Sequence, residues 1–202
     1  MYRWFDTNLI RKSTPEFELE ETPQTLPKNF RFKGKTIAVS EWIESSGTTG
    51  LVVMADNKVA FEKYYQGNAA QSQAISWSVG KSFVSAMIGF AVADGSIKSL
   101  QDPVGQYVPL RKKSGYANVS IQDVLEMSSG IDFNEDYADP KSGINQLGKE
   151  IFFGRSTNEW IARLQQARPP GKEFQYISVN TQVLGMVLEA ATKQKLASYM
   201  EK

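Results

Sequence analysis

The hydrophobic pattern changes period once, near residue 78, and this change constrains the fold more than any other feature. Before it, two β-rich runs at 51–54 and 59–65 flank Asp56-Asn57, a pair typical of a tight hairpin turn. After it, apolar residues recur at helical spacing from Phe83 to Ala91, and Gly95 is suited to end that helix. The sequence therefore predicts a β-hairpin at about 51–65 followed by a helix.

Helix signals also dominate the chain beyond Gly95. Ser120 with Asp123 and Ser156 with Glu159 have the spacing of capping boxes. Apolar positions between 183 and 191 fit a further amphipathic helix, and 196–202 has the composition of a helix start. We therefore expect a helical region over about 78–202. A lone hairpin is marginal by itself, so either the helices cover it or the rest of its sheet lies in residues that this chain lacks.

The first 48 residues differ from the rest in composition. Pro15, Pro23 and Pro27 interrupt them, and four glutamates between 16 and 21 make them acidic. We interpret 1–48 as an irregular leader and 49–202 as the main domain. The leader shows no continuous apolar segment of the kind that forms a secretory signal, so we expect a cytoplasmic protein.

Composition excludes several classes of function. The 202 residues include no histidine and no cysteine, which argues against zinc, haem and iron–sulfur sites, and we expect neither a metal nor a cofactor. The formal net charge of +1 gives no field that would attract nucleic acid or a membrane surface. Oligomeric state stays open. If the chain catalyses through a hydroxyl nucleophile, lysine or tyrosine must activate it, because histidine is missing.

Ser78 and Lys81 have the spacing that such chemistry requires. They lie at a loop-to-helix junction, where residues i and i+3 share a face, and the helix start adds partial positive charge. The pair is a candidate nucleophile with its own base. The spacing alone also fits an N-capping serine followed by a surface lysine.

Two ligand-binding readings of nearby motifs are weaker. Gly80-Lys81-Ser82 lacks the earlier glycine of a phosphate-binding loop, because position 75 is isoleucine. Asp132, Asn134 and Asp136 imitate the start of a calcium loop, but the later glycine and closing carboxylate are missing. We interpret the acidic residues of this region as solvated; they are Asp123, Glu126, Glu135 and Asp139.

A second constellation lies between 170 and 185. Pro170-Gly171 turns the chain towards Tyr176, Ser178 follows two residues later, and a helix begins. A tyrosine beside a lysine ammonium is easier to ionise and could relay a proton from Ser78. By itself, the segment favours a loop tyrosine that packs on the next helix over a catalytic one.

The ordered set of motifs resembles a known superfamily. Ser78-x-x-Lys81, then 125–130 (LEMSSG), then the Pro-Gly…Tyr176-x-Ser178…Leu-Gly segment are similar to the serine β-lactamases and penicillin-binding proteins. The nearest likeness is to the class C-like esterases and amidases, and within them to 6-aminohexanoate-dimer (nylon-oligomer) hydrolase-like proteins of bacteria. The resemblance covers about 48–202.

The resemblance implies a role for each matched residue. Ser78 would be the acylated nucleophile, Lys81 would sustain the proton network, and Tyr176 would serve as general base and then acid. Which of Lys81 and Tyr176 takes the first proton stays open. Ser178 would bind near Lys81 and the substrate, and Tyr137 would line the acyl pocket. The substrate would be a small amide or ester.

The resemblance also implies an α+β fold, β-lactamase/transpeptidase-like, in which an antiparallel sheet is flanked by helices and a helical region. Family members continue past residue 202 with late strands and a Lys-Thr-Gly or equivalent motif. We therefore expect this chain to be the N-terminal part of such a hydrolase domain. The alternative is a non-catalytic binding or scaffold domain that keeps the fold.

Overall fold

The computed structural model describes residues 7–11, 14–109 and 114–202. The chain divides into two compact units. The hairpin unit comprises Thr14–Ile75, and the helical unit comprises Ser76–Lys202 together with residues 7–11. Among the described helices, none is long and apolar enough to cross a membrane.

The predicted hairpin is confirmed. Strand β3 (Gly50–Ala55) pairs antiparallel with β4 (Lys58–Tyr64). Asp56 and Asn57 join the strands, and their φ angles of 51° and 61° are both positive, as the mirror-image turn of a tight hairpin requires. A shift in register follows Val53, where the ladder is locally irregular.

The prediction of an irregular leader is wrong for much of residues 20–45. A second hairpin forms from β1 (Asn29–Phe32) and β2 (Lys35–Ala38), and α1 (Val39–Ser45) follows it directly. The strands are only four residues long, so their apolar pattern is too short to stand out in the sequence. Residues 20–24 also run beside β4 through backbone hydrogen bonds. Residues 1–6 and 12–13 of the predicted leader lie outside the described residues.

Cross-strand packing explains the extra hairpin. Phe30 lies opposite Ile37 in the ladder, and the Phe30 ring meets Trp42 of α1 edge to face at 6.0 Å. Lys33 and Gly34 form the turn, with φ angles of 47° and 77°. Lys-Gly is a weaker turn signal than Asn-Gly, because lysine tolerates a positive φ less readily than asparagine.

The helical unit follows the predicted pattern closely. A single 3₁₀ turn at Trp77–Val79 leads into α2 (Gly80–Ala93), and Gly95 follows the helix with a φ of 78°. The serine half of both predicted capping boxes forms, since the hydroxyls of Ser120 and Ser156 accept the backbone N–H groups of Asp123 and Glu159. The remaining helices are α3 (Val104–Tyr107), α4 (Ile121–Leu125), α5 (Gly143–Phe152), α6 (Thr157–Ile161), α7 (Ser178–Thr192) and α8 (Leu196–Met200).

The core of the helical unit lies where α2 and α4 pack on α7. Side chains from all three helices are buried there, namely Met87, Ile88, Ala91, Ile121, Val124, Val183, Leu184, Val187 and Leu188. Burying a branched aliphatic side chain contributes about 1.5–3 kcal/mol. Helix α7 is therefore fixed along its length, and so is the short segment that enters it from Tyr176.

Candidate active site

Ser78 and Lys81 lie on the first turn that leads into α2. Trp77, the residue before Ser78, has a φ of 46°, a conformation that costs a large aromatic residue roughly 1–2 kcal/mol. The indole is exposed, so packing of that ring does not offset the cost. Backbone strain of this kind is concentrated at functional sites. The strained residue here directly precedes the candidate nucleophile Ser78.

Three predicted residues converge around one oxygen atom. Lys81 Nζ donates a hydrogen bond to Ser78 Oγ at 2.9 Å, and the Tyr176 hydroxyl lies 2.8 Å from the same oxygen. Lys81 Nζ is also 5.3 Å from the centroid of the Tyr176 ring. All three residues belong to the helical unit, so one packed core holds the whole arrangement.

The electrostatics of Tyr176 favour its ionised form. Partial burial raises the pKa of the Tyr176 hydroxyl, but hydrogen bonds with Lys81 and Ser78 and the positive charge of Lys81 outweigh burial. The net effect lowers the pKa of Tyr176 below its ordinary value of about 10. A phenol of lowered pKa is a stronger candidate for a general base near neutral pH.

The loop that carries Tyr176 is bound to the segment Met127–Gly130. The backbone N–H of Gln175 donates to the Met127 carbonyl at 2.7 Å, and that of Gly171 donates to the Ser128 carbonyl at 2.8 Å. Gly130, with a φ of 70°, accepts the backbone N–H of Arg168 at 3.1 Å. This segment therefore holds the loop of Tyr176 in place, a role that its sequence does not reveal.

Ser178 and Tyr137 lie near Tyr176, and Ser178 lines the same cavity as Lys81. The Ser178 hydroxyl donates to a carboxylate oxygen of Glu135, a partner that the resemblance did not imply. The hydroxyl of Tyr137 also donates to Glu135, at 3.1 Å. The Tyr137 ring is mostly exposed.

Comparison with known proteins identifies the family of this chain. The family model described as Beta-lactamase matches residues 39–202. This chain belongs to the β-lactamase family. The match begins ten residues before the expected domain start at 49, and so includes α1. The family resemblance predicted from the ordered motifs is confirmed, and so is the β-lactamase/transpeptidase-like fold class.

Individual relatives of this β-lactamase-family chain agree with that assignment. It is 32% identical over 157 residues to a 6-aminohexanoate-dimer hydrolase of Paenarthrobacter ureafaciens. The matched region covers 74% of this chain and 40% of that relative. A Bacillus anthracis structure described as a 6-aminohexanoate-dimer hydrolase has a TM-score of 0.74 at 18% identity, covering 90% of this chain and 50% of its own. A Bacteroides dorei structure described as a β-lactamase has a TM-score of 0.62 at 23% identity, covering 81% of this chain and 47% of its own.

The chain thus spans half or less of the length of these relatives. The part that it spans includes Ser78, Lys81 and Tyr176, within residues 39–202. Their convergence is therefore a property of a β-lactamase-family domain rather than of an unrelated helical bundle.

A buried polar network behind the site was missed from the sequence. The Asn180 side-chain oxygen accepts the hydroxyls of Tyr116 at 2.7 Å and Ser129 at 3.0 Å, and all three residues are fully buried. Burial raises the pKa of the Tyr116 hydroxyl far above its ordinary value, against a smaller opposing effect of Ser129. The sequence did indicate that Asn180 would be buried, because it lies at helical spacing from Val183 and Val187, on the apolar face of α7.

A cavity of about 380 Å³ adjoins the site inside the helical unit. Its lining combines apolar side chains with the site residues Lys81 and Ser178, and includes Trp77, Val84, Leu147 and Ile151. Such a mixed wall suits a small molecule with an apolar body. A groove of about 640 Å³ between α2 and α8, lined by Phe83, Phe90 and Tyr199 among others, contains none of the three converging residues.

Proposed function

We propose that this chain is a serine hydrolase that cleaves an amide or ester through an acyl intermediate on Ser78. The observation that carries the proposal is the position of one oxygen atom, Ser78 Oγ, between Lys81 Nζ at 2.9 Å and the Tyr176 hydroxyl at 2.8 Å. Membership of the β-lactamase family and the hydrolase relative at 32% identity support it.

The acylation step assigns one role to each group. As a phenolate, Tyr176 accepts the Ser78 proton while Oγ forms a bond to the carbonyl carbon and the carbonyl π electrons move to oxygen. When the carbonyl re-forms, the bond to the leaving nitrogen or oxygen breaks, and Tyr176 returns the proton to that atom. Lys81 is assigned to stabilising the phenolate, because an ammonium has donors but no acceptor.

Deacylation reverses the roles with water as the nucleophile. Tyr176 accepts a proton from water while the water oxygen bonds to the acyl carbon. Collapse of that adduct breaks the bond to Ser78 Oγ, which takes the proton from Tyr176, and the acid is released. The cycle restores every group to its starting protonation state and needs no metal or cofactor.

The test is covalent labelling by a fluorophosphonate, a phosphorus electrophile that activated serine hydroxyls attack. Ser78 Oγ would bond to phosphorus, fluoride would leave, and the serine proton would pass to Tyr176. We expect one adduct by intact mass, located on Ser78 by peptide mapping. Ser78→Ala should not be labelled, whereas Ser82→Ala, one turn further along α2, should be labelled like the parent protein.

A folded parent protein with no adduct would contradict the proposal. That outcome would favour the alternative of a non-catalytic binding domain, which tight binding of an amide or ester without turnover would then support. Labelling that survives in Ser78→Ala would contradict the assignment of the nucleophile.

A further inference from the structure

The Glu135 carboxylate accepts three hydrogen bonds from residues beside Tyr176. One carboxylate oxygen accepts the backbone N–H of Ser178 at 3.0 Å, and the other accepts the hydroxyls of Ser178 and Tyr137. The residue is half-buried. The sequence-based interpretation of Glu135 as solvated is therefore wrong, because its partner Ser178 lies 43 residues away along the chain.

Helix α7 has no cap of its own. Its N-cap residue is Ile177, whose side chain has no acceptor and is fully buried in the core. The first N–H groups of a helix need acceptors, and a negative charge there also interacts favourably with the helix dipole. Glu135 supplies both from a distant loop, since it binds the N–H of Ser178, the first residue of α7.

The helix start at Ser178 determines where Tyr176 lies. Only Ile177 separates the two residues, and its buried side chain leaves that short segment little freedom. The loop of Glu135 is itself anchored, because the side-chain amide of Gln175 donates to the carbonyl of Phe133 at 2.7 Å. Hydrogen bonds thus tie the Glu135 loop to the chain on both sides of Tyr176, at Gln175 before it and at Ser178 after it.

The same carboxylate also sets the direction of the Ser178 hydroxyl. A hydroxyl can donate only one hydrogen bond, and the Ser178 hydroxyl donates it to Glu135. The lone pairs of Ser178 Oγ are then left to accept hydrogen bonds from other groups. A substrate amide N–H is such a donor, so the arrangement suits Ser178 as an acceptor at the site.

We propose that Glu135 is a positioning residue of this active site. It caps α7 so that the Tyr176 hydroxyl reaches Ser78 Oγ, and it fixes the hydroxyls of Ser178 and Tyr137 by accepting a hydrogen bond from each. The consequence for catalysis rests on the proposed function, whereas the structural assignment does not. Two measurements therefore separate the two claims.

The first measurement is amide hydrogen exchange, which needs no activity. In Glu135→Ala, exchange in peptides that cover 176–181 should rise about fivefold or more, the factor that corresponds to losing a helix cap. Glu135→Gln should give a smaller rise, because one oxygen remains as an acceptor. Glu173→Gln, an exposed glutamate on the same approach to Tyr176, should match the parent protein. Unchanged exchange in Glu135→Ala would overturn the proposal, whether or not the protein is active.

The second measurement is the rate of fluorophosphonate labelling as a function of probe concentration. Glu135→Ala should lower the limiting rate about tenfold or more and leave the half-saturating concentration within threefold, since the probe's own contacts remain. Glu173→Gln should change neither. If exchange rises and the limiting rate does not fall, the catalytic consequence is wrong. If exchange rises and the parent protein is never labelled, the proposed function fails while the cap assignment stands.

Discussion

The hydroxyl of Tyr176 lies 2.8 Å from Ser78 Oγ, although 98 residues separate them in the sequence. Lys81, only three residues after the serine, donates a hydrogen bond to the same oxygen. A local pair and a distant tyrosine are thus joined into one hydrogen-bonded group. The chemistry proposed for this group depends on both parts.

Removing the Tyr176 hydroxyl should slow acylation with little effect on folding. Tyr176→Phe keeps the ring, and the hydroxyl that it loses lies on a side chain that is 39% exposed. Loss of a general base typically costs 10²–10⁴-fold, so we expect a decrease of about that size in the labelling rate. The measurement is the rate of fluorophosphonate adduct formation. Tyr64→Phe, in the hairpin unit, should label at the parent rate, and equal rates in both variants would refute the role of Tyr176.

Removing the Lys81 charge should shift the pH dependence of labelling to higher pH. In the proposed mechanism Tyr176 acts when deprotonated, and Lys81 is the main cause that lowers its pKa against burial. In Lys81→Met, burial acts without that opposition, so the pKa of Tyr176 rises and less phenolate exists at neutral pH. The midpoint of the rising limb should move up by about one unit or more.

The control for that shift is Lys172→Met, an exposed lysine on the loop before Tyr176. Its midpoint should match the parent protein. The tyrosinate absorbance of each variant, minus that of the same variant with Tyr176→Phe, gives the pKa directly. A midpoint that stays in place in Lys81→Met would show that Tyr176 is not the titrating base.

Local signals made much of the helical unit predictable from sequence. The N-caps at Ser120 and Ser156 and the i, i+3 pair of Ser78 and Lys81 act within one helical turn. Tyr176 was found only through the order of motifs shared with a family, because no local rule relates it to Ser78. The positive φ of Trp77 had no local signal either, because a large aromatic residue does not favour that conformation.

The missed features share one physical cause, which is that their partners are distant in sequence. Glu135 lies in an acidic loop whose composition fits solvent exposure, and only the folded chain brings Ser178 to it. The early hairpin was missed because the cross-strand pair of Phe30 and Ile37 is too short a pattern to recognise. Gly130 was noticed within a motif, but the reason for glycine there depends on Arg168.

Gly130→Ala should destabilise the protein and disturb the Tyr176 loop together. A Cβ at position 130 would lie 2.1 Å from the Arg168 carbonyl oxygen, and the φ of 70° disfavours any side chain. We expect a loss of about 2 kcal/mol or more in the free energy of unfolding. Urea denaturation measures the loss, and faster exchange in peptides covering 168–176 would locate it.

The matched control is Gly148→Ala in α5. A Cβ there meets no atom within 4 Å, and alanine favours a helix over glycine by about 0.5–1 kcal/mol. Gly148→Ala should therefore leave the protein as stable as before or slightly more stable. Similar destabilisation in both variants would contradict the close approach at Gly130.

The buried hydroxyl of Tyr116 should make stability fall steeply in alkali. Burial raises its pKa in the folded protein, while the unfolded chain titrates near pH 10. The contribution of this group is therefore complete below pH 10 and is lost as pH rises above it, at about 1.4 kcal/mol per unit. Tyr116→Phe removes that loss but also removes the hydrogen bond to Asn180, worth about 1 kcal/mol.

The two effects have opposite signs, so the stability curves of the parent protein and Tyr116→Phe should cross about one pH unit above 10. Urea unfolding at pH 7, 9, 10 and 11 would show the crossing. Ser129→Ala serves as the control, because it removes another hydrogen bond to Asn180 but no titrating group. Its curve should lie below that of the parent protein by a similar amount throughout and never cross it. Parallel curves for Tyr116→Phe would mean that the Tyr116 hydroxyl ionises in the folded protein as readily as in the unfolded chain.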